Sequence, residues 1–338
     1  MRYVALDGLR GVAAMVVLLY HALGETFGIT PLRGGYLAVD FFFMLSGFVI
    51  ARAYEQKMPT GLVPFMRARA RRLYPTIATG IIVGGIAALL SGSDPMITLA
   101  LTVAGLLFVP VLDDHGWGIF PINGPQWSLF FEVVANLIHG ALLWRLSVRG
   151  LAIIAWISFL LLCAMSEAAG SMAFGHIGNR FLAGLPRVLF SYTIGIILFR
   201  MLDQLPAIRC PAWALFVSLP VLLTLSGLST HWAAGPLTVL VFPAIVIAGL
   251  SVQLSAREAR ICEWLGALSY PLYAVHRPAI TLAALAVSAG LAWKLAAALA
   301  VSIVLGWAVT LVLEPKGALS PIRLRREPSA GSPSKLAP

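Results

Sequence analysis

The sequence predicts an all-α protein built as a polytopic integral membrane helical bundle, on three observations. Only 11% of its 338 residues are charged, 59% fall in the set AVILMFWYC, and the mean hydropathy is +0.90. A soluble domain carries about 25% charged residues to wet its surface, so most of this surface must face something apolar. Second, about eleven apolar segments approach the roughly 20 residues that take a helix across a bilayer core. Third, the basic residues sit in short clusters between those segments, the pattern that orients a membrane protein. That placement excludes nucleic acid as the partner of the +10 net charge. Cys163, Cys210 and Cys262 lie far apart and in no C-x-x-C pattern, which indicates neither a disulfide framework nor a zinc knot.

The apolar segments fall at 9–25, 36–52, 73–91, 95–111, 127–145, 150–166, 183–200, 212–228, 233–251, 267–289 and 293–313. Arg52, Lys57, Arg67, Arg69, Arg71 and Arg72 follow the second segment, and Lys316, Arg323, Arg325, Arg326 and Lys335 follow the last. Both clusters belong in the cytoplasm, which requires an even number of crossings between them and ten in all. The segment that fails to cross is 95–111, which opens at Pro95, ends at Pro110 and precedes Asp113 and Asp114; it is expected to be re-entrant or to lie on the outer surface. Of the 24 basic residues, eighteen then lie inside, only Arg33, Arg180 and Lys294 lie outside, and Arg10, Arg187 and Arg277 lie within spans. Both termini are expected in the cytoplasm. Arg10 marks the first span as a retained helix rather than a cleaved signal peptide. No internal repeat is visible, which weakens an inverted-repeat transporter reading. The division is a membrane-embedded domain over 1–318 and a basic, disordered cytoplasmic tail over 319–338, with no appended soluble domain.

An ionisable side chain near the bilayer centre costs about 2.5–3.5 kcal/mol on insertion scales, so the few that remain are candidates for function. Arg10 and His21 are separated by about 16 Å of helical rise and about 20° of rotation, one face at two depths. Snorkelling by the arginine and a backbone hydrogen bond for the histidine would also account for them. Glu132, Asn136 and His139 form a polar stripe that serves either a site or an interhelical hydrogen-bond seam. Asp40 lies just inside the outer end of the second span, His276 and Arg277 sit near the middle of a late span, and Arg187 near an outer end is expected to snorkel. Arg69 and Arg72 are one helical turn apart at the inner mouth, where positive-inside orientation alone would explain them. Two guanidiniums on one face also make a fork for phosphate, and a soluble phosphorylated donor arrives from that side. There is no P-loop, no G-x-S-x-G elbow and no H-E-x-x-H, and no two of His21, His276 and Glu132 have metal-ligand spacing.

Five motifs then appear in order: LDGLRGVAAMVVLLYH at 6–21, VDFFFMLSGFVIA at 39–51, R-x-x-R at Arg69 and Arg72, WSLFFE at 127–132 and LGALSYPLYAVHRP at 265–278. Together they resemble the acyltransferase-3 family of integral membrane O-acyltransferases over most of the chain. The sequence departs from the family pattern at Phe130 and Phe131, where a small and a branched residue are usual, and at Val133 and Val134, where polar residues often follow the glutamate.

The resemblance implies an enzyme of the bacterial cytoplasmic membrane. It would move an acyl group, usually acetyl, from cytoplasmic acyl-CoA to a hydroxyl of a carbohydrate or cell-envelope glycan, with no tightly bound cofactor. It assigns Arg69 and Arg72, helped by Arg10, to the CoA phosphates. His21 becomes a general base for the acceptor hydroxyl or a transient acyl carrier, tasks a neutral imidazole suits near pH 7. Glu132 or Asp40 would orient that imidazole or bind sugar hydroxyls, Ser46 would do the latter, and His276 and Trp127 complete the acceptor side. Asp7, three residues before Arg10, would hold its guanidinium. A macrolide, a lipid-linked precursor or a small metabolite as acceptor, and a non-catalytic transporter, are the alternatives.

Overall fold

A computed structural model describes residues 3–27, 32–112, 118–288 and 290–313. Among them there is no strand. The helices are α1 (Val4–Phe27), α2 (Ala38–Tyr54), α3 (Leu62–Leu90), α4 (Pro95–Leu106), α5 (Gln126–Ala141), α6 (Val148–Ala169), α7 (Gly184–Arg200), α8 (Ala212–Leu228), α9 (Ala234–Ser251), α10 (Ala256–Ala286) and α11 (Leu291–Leu313). The 319–338 tail, Arg2 and the Asp113–Asp114 pair lie outside the described residues.

Among the described residues, six segments, in α1, α2, α3, α6, α9 and α11, are long and apolar enough to cross a membrane, and α4 and α8 are shorter apolar helices. Apolar side chains point outward, among them Trp156, Ile157 and Leu160 on α6, Trp213, Val217 and Leu225 on α8, and Trp293, Val304 and Leu311 on α11. Charged and polar groups such as Asp40, Arg69, Asn136, His139, Arg187 and His276 are buried. This reversal of the soluble pattern is what an apolar solvent imposes. These buried groups lie on α2, α3, α5, α7 and α10, on the faces that those helices turn toward one another.

Several helices run past the apolar segments read from sequence, and the excess is polar. α3 begins eleven residues before the predicted 73 and winds the basic RARARR stretch into helix, and α10 begins at Ala256 rather than 267. Ser255 and Glu258 close a capping box at that start, which satisfies the first backbone donors of a turn too charged for a hydropathy window to include. α4 is only 12 residues long, with Asp94 accepting from Ile97 N at 2.9 Å and Pro95 in its first turn. Its rise of about 18 Å falls short of a roughly 30 Å core.

Three helix pairs position the interior. α1 and α10 run parallel, with Gly11 beside Leu265 at one level and His21 beside His276 at the other. α3 joins them with Gly80 against the Ala274 carbonyl. α2 and α7 touch backbone to backbone: a Cβ on Gly47 would be driven into the Tyr192 carbonyl oxygen, and one on Gly195 into that of Met44. Gly47 thus lets α2 approach α7 while the preceding Ser46 faces inward. Gly195→Ala should cost stability at or above the upper end of the about 1–3 kcal/mol typical of overpacking. A lowered thermal unfolding midpoint of the detergent-solubilised protein is expected, and an unchanged one would contradict the close approach.

Candidate active site

A cavity of about 480 Å³ opens between α1, α2, α3, α5 and α10. Its wall includes the exposed Arg52 and Arg72 at one end and the buried Ser128 and Tyr273 at the other. The residues it uses on α2, from Val39 to Tyr54, span about 23 Å of helix.

Three of the predicted arginines line this cavity. Arg69, 7% exposed, places Nη2 3.5 Å from Glu132 Oε1, while its Nε has no hydrogen-bond partner. A guanidinium on the cavity wall, held on one side by a carboxylate, is suited to an incoming oxyanion. Arg72, one turn along the same helix, is exposed. Arg10 donates from Nε to Ser269 Oγ at 2.8 Å and from Nη2 to the Gly266 carbonyl at 2.8 Å, and pairs with Asp7 at 3.3 Å as the spacing predicted. Ser46, expected on acceptor hydroxyls, lies instead in this arginine-lined space and donates to Glu132 Oε1 at 3.0 Å.

The histidines lie beyond the cavity's buried end. His21 and His276 face each other with ring centroids 5.0 Å apart, and neither lines the cavity. Carbonyl oxygens only accept, so the contact of His21 Nδ1 with Val17 O at 3.3 Å and that of His276 Nδ1 with Tyr273 O at 2.7 Å place the ring hydrogens on Nδ1. Each Nε2 is then a lone-pair base, and that of His276, 1% exposed, has no partner. His21 and His276 are therefore not part of the cavity's lining. Tyr273 stands between, its ring 5.6 Å from His276 and 5.3 Å from Phe42, its hydroxyl 2.6 Å from Ser128 Oγ.

Neither carboxylate expected beside His21 contacts it. Glu132 is engaged by Arg69 and Ser46, and Asp40, fully buried, is engaged by Arg187. Arg187 does not snorkel: it is 1% exposed, donates to both Asp40 oxygens, and also reaches the Phe174 and Tyr36 carbonyls at 3.1 and 2.9 Å. A guanidinium with a carboxylate in reach gains more from pairing than from bending toward water. Its cation lies over the rings of Tyr36 and Trp127, so Trp127 is a buried plate beside His176 and Phe131 rather than an open platform. In the segment before α7, burial first and then Arg187 hold the His176 imidazole below its ordinary pKa, so it is neutral at pH 7.

The polar stripe on α5 divides. Glu132 faces the cavity, while Asn136 accepts from Tyr192 Oη at 3.3 Å and His139 sits buried 3.8 Å from Glu55, so the lower two residues form a seam. Glu55 is itself bound to Arg200, a pair that sequence reasoning missed because Glu55 lies outside the apolar spans. Phe130 and Phe131 pack with Phe181 at ring distances of 5.3 and 5.0 Å, and Phe131 fills the space beside Gly184. Ser128, Ser269 and Tyr273 were also missed as site residues, although Ser269, Tyr273 and His276 follow helical spacing along α10. No group of three or more His, Cys, Asp or Glu suited to a metal occurs among the described residues.

A family model described as an acyltransferase domain matches residues 3–311. The chain is 37% identical over 158 residues to protein 2 of the picA locus in Rhizobium radiobacter, covering 41% of this chain and 81% of that one. It is 29% identical over 304 residues to the exopolysaccharide production protein ExoZ of Rhizobium meliloti, covering 83% of this chain and 86% of that one. A Staphylococcus aureus chain whose name designates an O-acetyltransferase is 34% identical over 113 residues, 32% of this chain and 18% of its own length. No solved structure matches. Breaking a buried ion pair by removing one partner costs about 3–5 kcal/mol. Asp40→Ala should therefore sharply lower the unfolding midpoint of the purified protein, and a wild-type midpoint would show that the pair carries no stability.

Proposed function

The chain belongs to the acyltransferase-3 family and is a membrane acyltransferase, and on that premise we propose that it moves an acetyl group from cytoplasmic acyl-CoA to a hydroxyl of a cell-envelope glycan. The observation that carries the reading is the cavity. It has guanidiniums at one end, and its buried end lies one side chain from a pair of histidines. Arg69 and Arg72, with Arg10 beside them, bind the CoA phosphates by charge-assisted hydrogen bonds, and their shared place on the cavity wall supports that role. The pantetheine arm runs along α2 toward Tyr273. Glu132 fixes Arg69 and Ser46 rather than the imidazole.

His21 acts as general base, accepting the proton of the acceptor hydroxyl at Nε2 as that oxygen attacks the thioester carbonyl. Because only a neutral imidazole accepts a proton, kcat/KM should fall once acid protonates His21 and should not fall with rising pH on its account. His276 and Trp127 belong to the acceptor side. The exopolysaccharide production named for one relative favours a glycan there. Ten crossings of the bacterial inner membrane with both termini in the cytoplasm would place the arginines on the CoA side, and the bias of basic residues and the short α4 support that arrangement.

Purified protein supplied with labelled acetyl-CoA and de-O-acetylated exopolysaccharide fragments tests the reading. Acetate on the fragments and free CoA are expected; no CoA binding and no CoA release would overturn it. His21→Ala should lower transfer by about 10²–10⁴-fold with CoA binding nearly intact, and an active variant removes it from the mechanism. Arg69→Ala with Arg72→Ala should weaken CoA by at least about tenfold, at roughly 1.5–3 kcal/mol per lost charged hydrogen bond. Unchanged CoA affinity would leave those arginines only an orienting role in the membrane.

A further inference from the structure

The polar groups of the cavity are almost all committed to one another. Ser46 is bound to Glu132, Glu132 to Arg69, Ser269 both to Arg10 and to the Gly266 carbonyl, and the Tyr270 hydroxyl to the Leu73 carbonyl. At the buried end the arrangement differs. Ser128 Oγ lies 2.9 Å from the Pro125 carbonyl and 2.6 Å from Tyr273 Oη, and has one hydrogen to give. If it donates to Pro125, the phenol donates to Ser128. If it turns to the phenol oxygen, the phenol hydrogen is released into the cavity. A coupled turn of two hydroxyls, that of Ser128 and that of Tyr273, separates the two states. Tyr273 also lines the donor space and packs on His276, which packs on His21. It is therefore the side chain at which a thioester in the cavity and a base on the other side could meet.

We propose that Tyr273 is a catalytic residue whose phenol, released by Ser128, donates a hydrogen bond to the thioester carbonyl oxygen as negative charge develops there. The proposal rests on the acyl-CoA reading above. The acceptor oxygen forms a bond to the carbonyl carbon and its proton passes to His21 Nε2. The carbonyl electrons move onto oxygen, where the phenol stabilises them while keeping its own proton. On collapse the carbon–sulfur bond breaks, the CoA thiolate leaves with the bonding pair, and it takes the proton from His21. The products are the ester and CoA thiol. A donor placed in advance where charge appears, in a space shielded from water, is the arrangement that acyl transfer rewards most.

The test uses the full-length protein with acetyl-CoA and de-O-acetylated exopolysaccharide fragments. Tyr273→Phe keeps the ring against Phe42 and removes only the donor. It should lower kcat by about 10²–10³-fold, the usual loss for one oxyanion donor, with the KM for acetyl-CoA and the affinity for CoA within threefold of wild type. Ser128→Ala, which leaves the phenol its hydrogen but removes the group that orients it, should lower kcat measurably but by clearly less than Tyr273→Phe does. Four results would overturn the proposal: a Tyr273→Phe kcat within threefold of wild type, a fall matched by an equal loss of CoA affinity, faster acetyl-CoA hydrolysis without acceptor, or a Ser128→Ala defect as deep as that of Tyr273→Phe. The third would make the ring a barrier and the fourth would make the serine the donor. Should the wild type neither bind CoA nor transfer acetyl, the acyltransferase reading of the cavity itself fails, a result distinct from all four.

Discussion

A guanidinium inside a bundle whose outer surface meets lipid has to be neutralised by protein, and the placement of Arg69 follows from that constraint. Its partner is Glu132 on α5, and Glu132 in turn holds Ser46 on α2, so one carboxylate ties three helices around the same space. The tie is incomplete by one donor, the Arg69 Nε. An unmade hydrogen bond in a buried position costs about 1–3 kcal/mol. What turns this packing solution into a candidate binding site is its place on the cavity wall, with Arg72 and Arg10 lining the same space.

The second buried pair, Arg187 with Asp40, does different work. Its guanidinium spends every nitrogen on Asp40, Tyr36 and Phe174 and lies over the rings of Tyr36 and Trp127. It braces α7 against α2 and takes no part in the cavity wall.

Much of this was legible in the sequence. The apolar segments located the helices because lipid selects for continuous hydrophobicity, and the Arg10–His21 spacing fixed two groups on one face of α1 because a helix rotates by a constant angle per residue. What was not legible was pairing across helices. Asp40 looked free and Arg187 looked able to snorkel because the α2–α7 contact that joins them depends on Gly47 and Gly195, which carry no hydropathy signal. Helix ends were lost for a related reason: the basic turns of α3 and the capped start of α10 are helical yet polar. Tyr273 was hidden by chemistry, since a tyrosine in an apolar run reads as packing until its hydroxyl is seen against Ser128.

The arrangement separates a donor space from a histidine pair by the thickness of one aromatic ring. A structure of the protein bound to a non-hydrolysable acetyl-CoA thioether would show that division. Phosphates are expected on the Arg69 and Arg72 side of the cavity and the acetyl end against Tyr273, with the phenol hydrogen-bonded to the acetyl oxygen. A nucleotide bound outside the cavity, or an acetyl end directed away from Tyr273, would contradict that expectation.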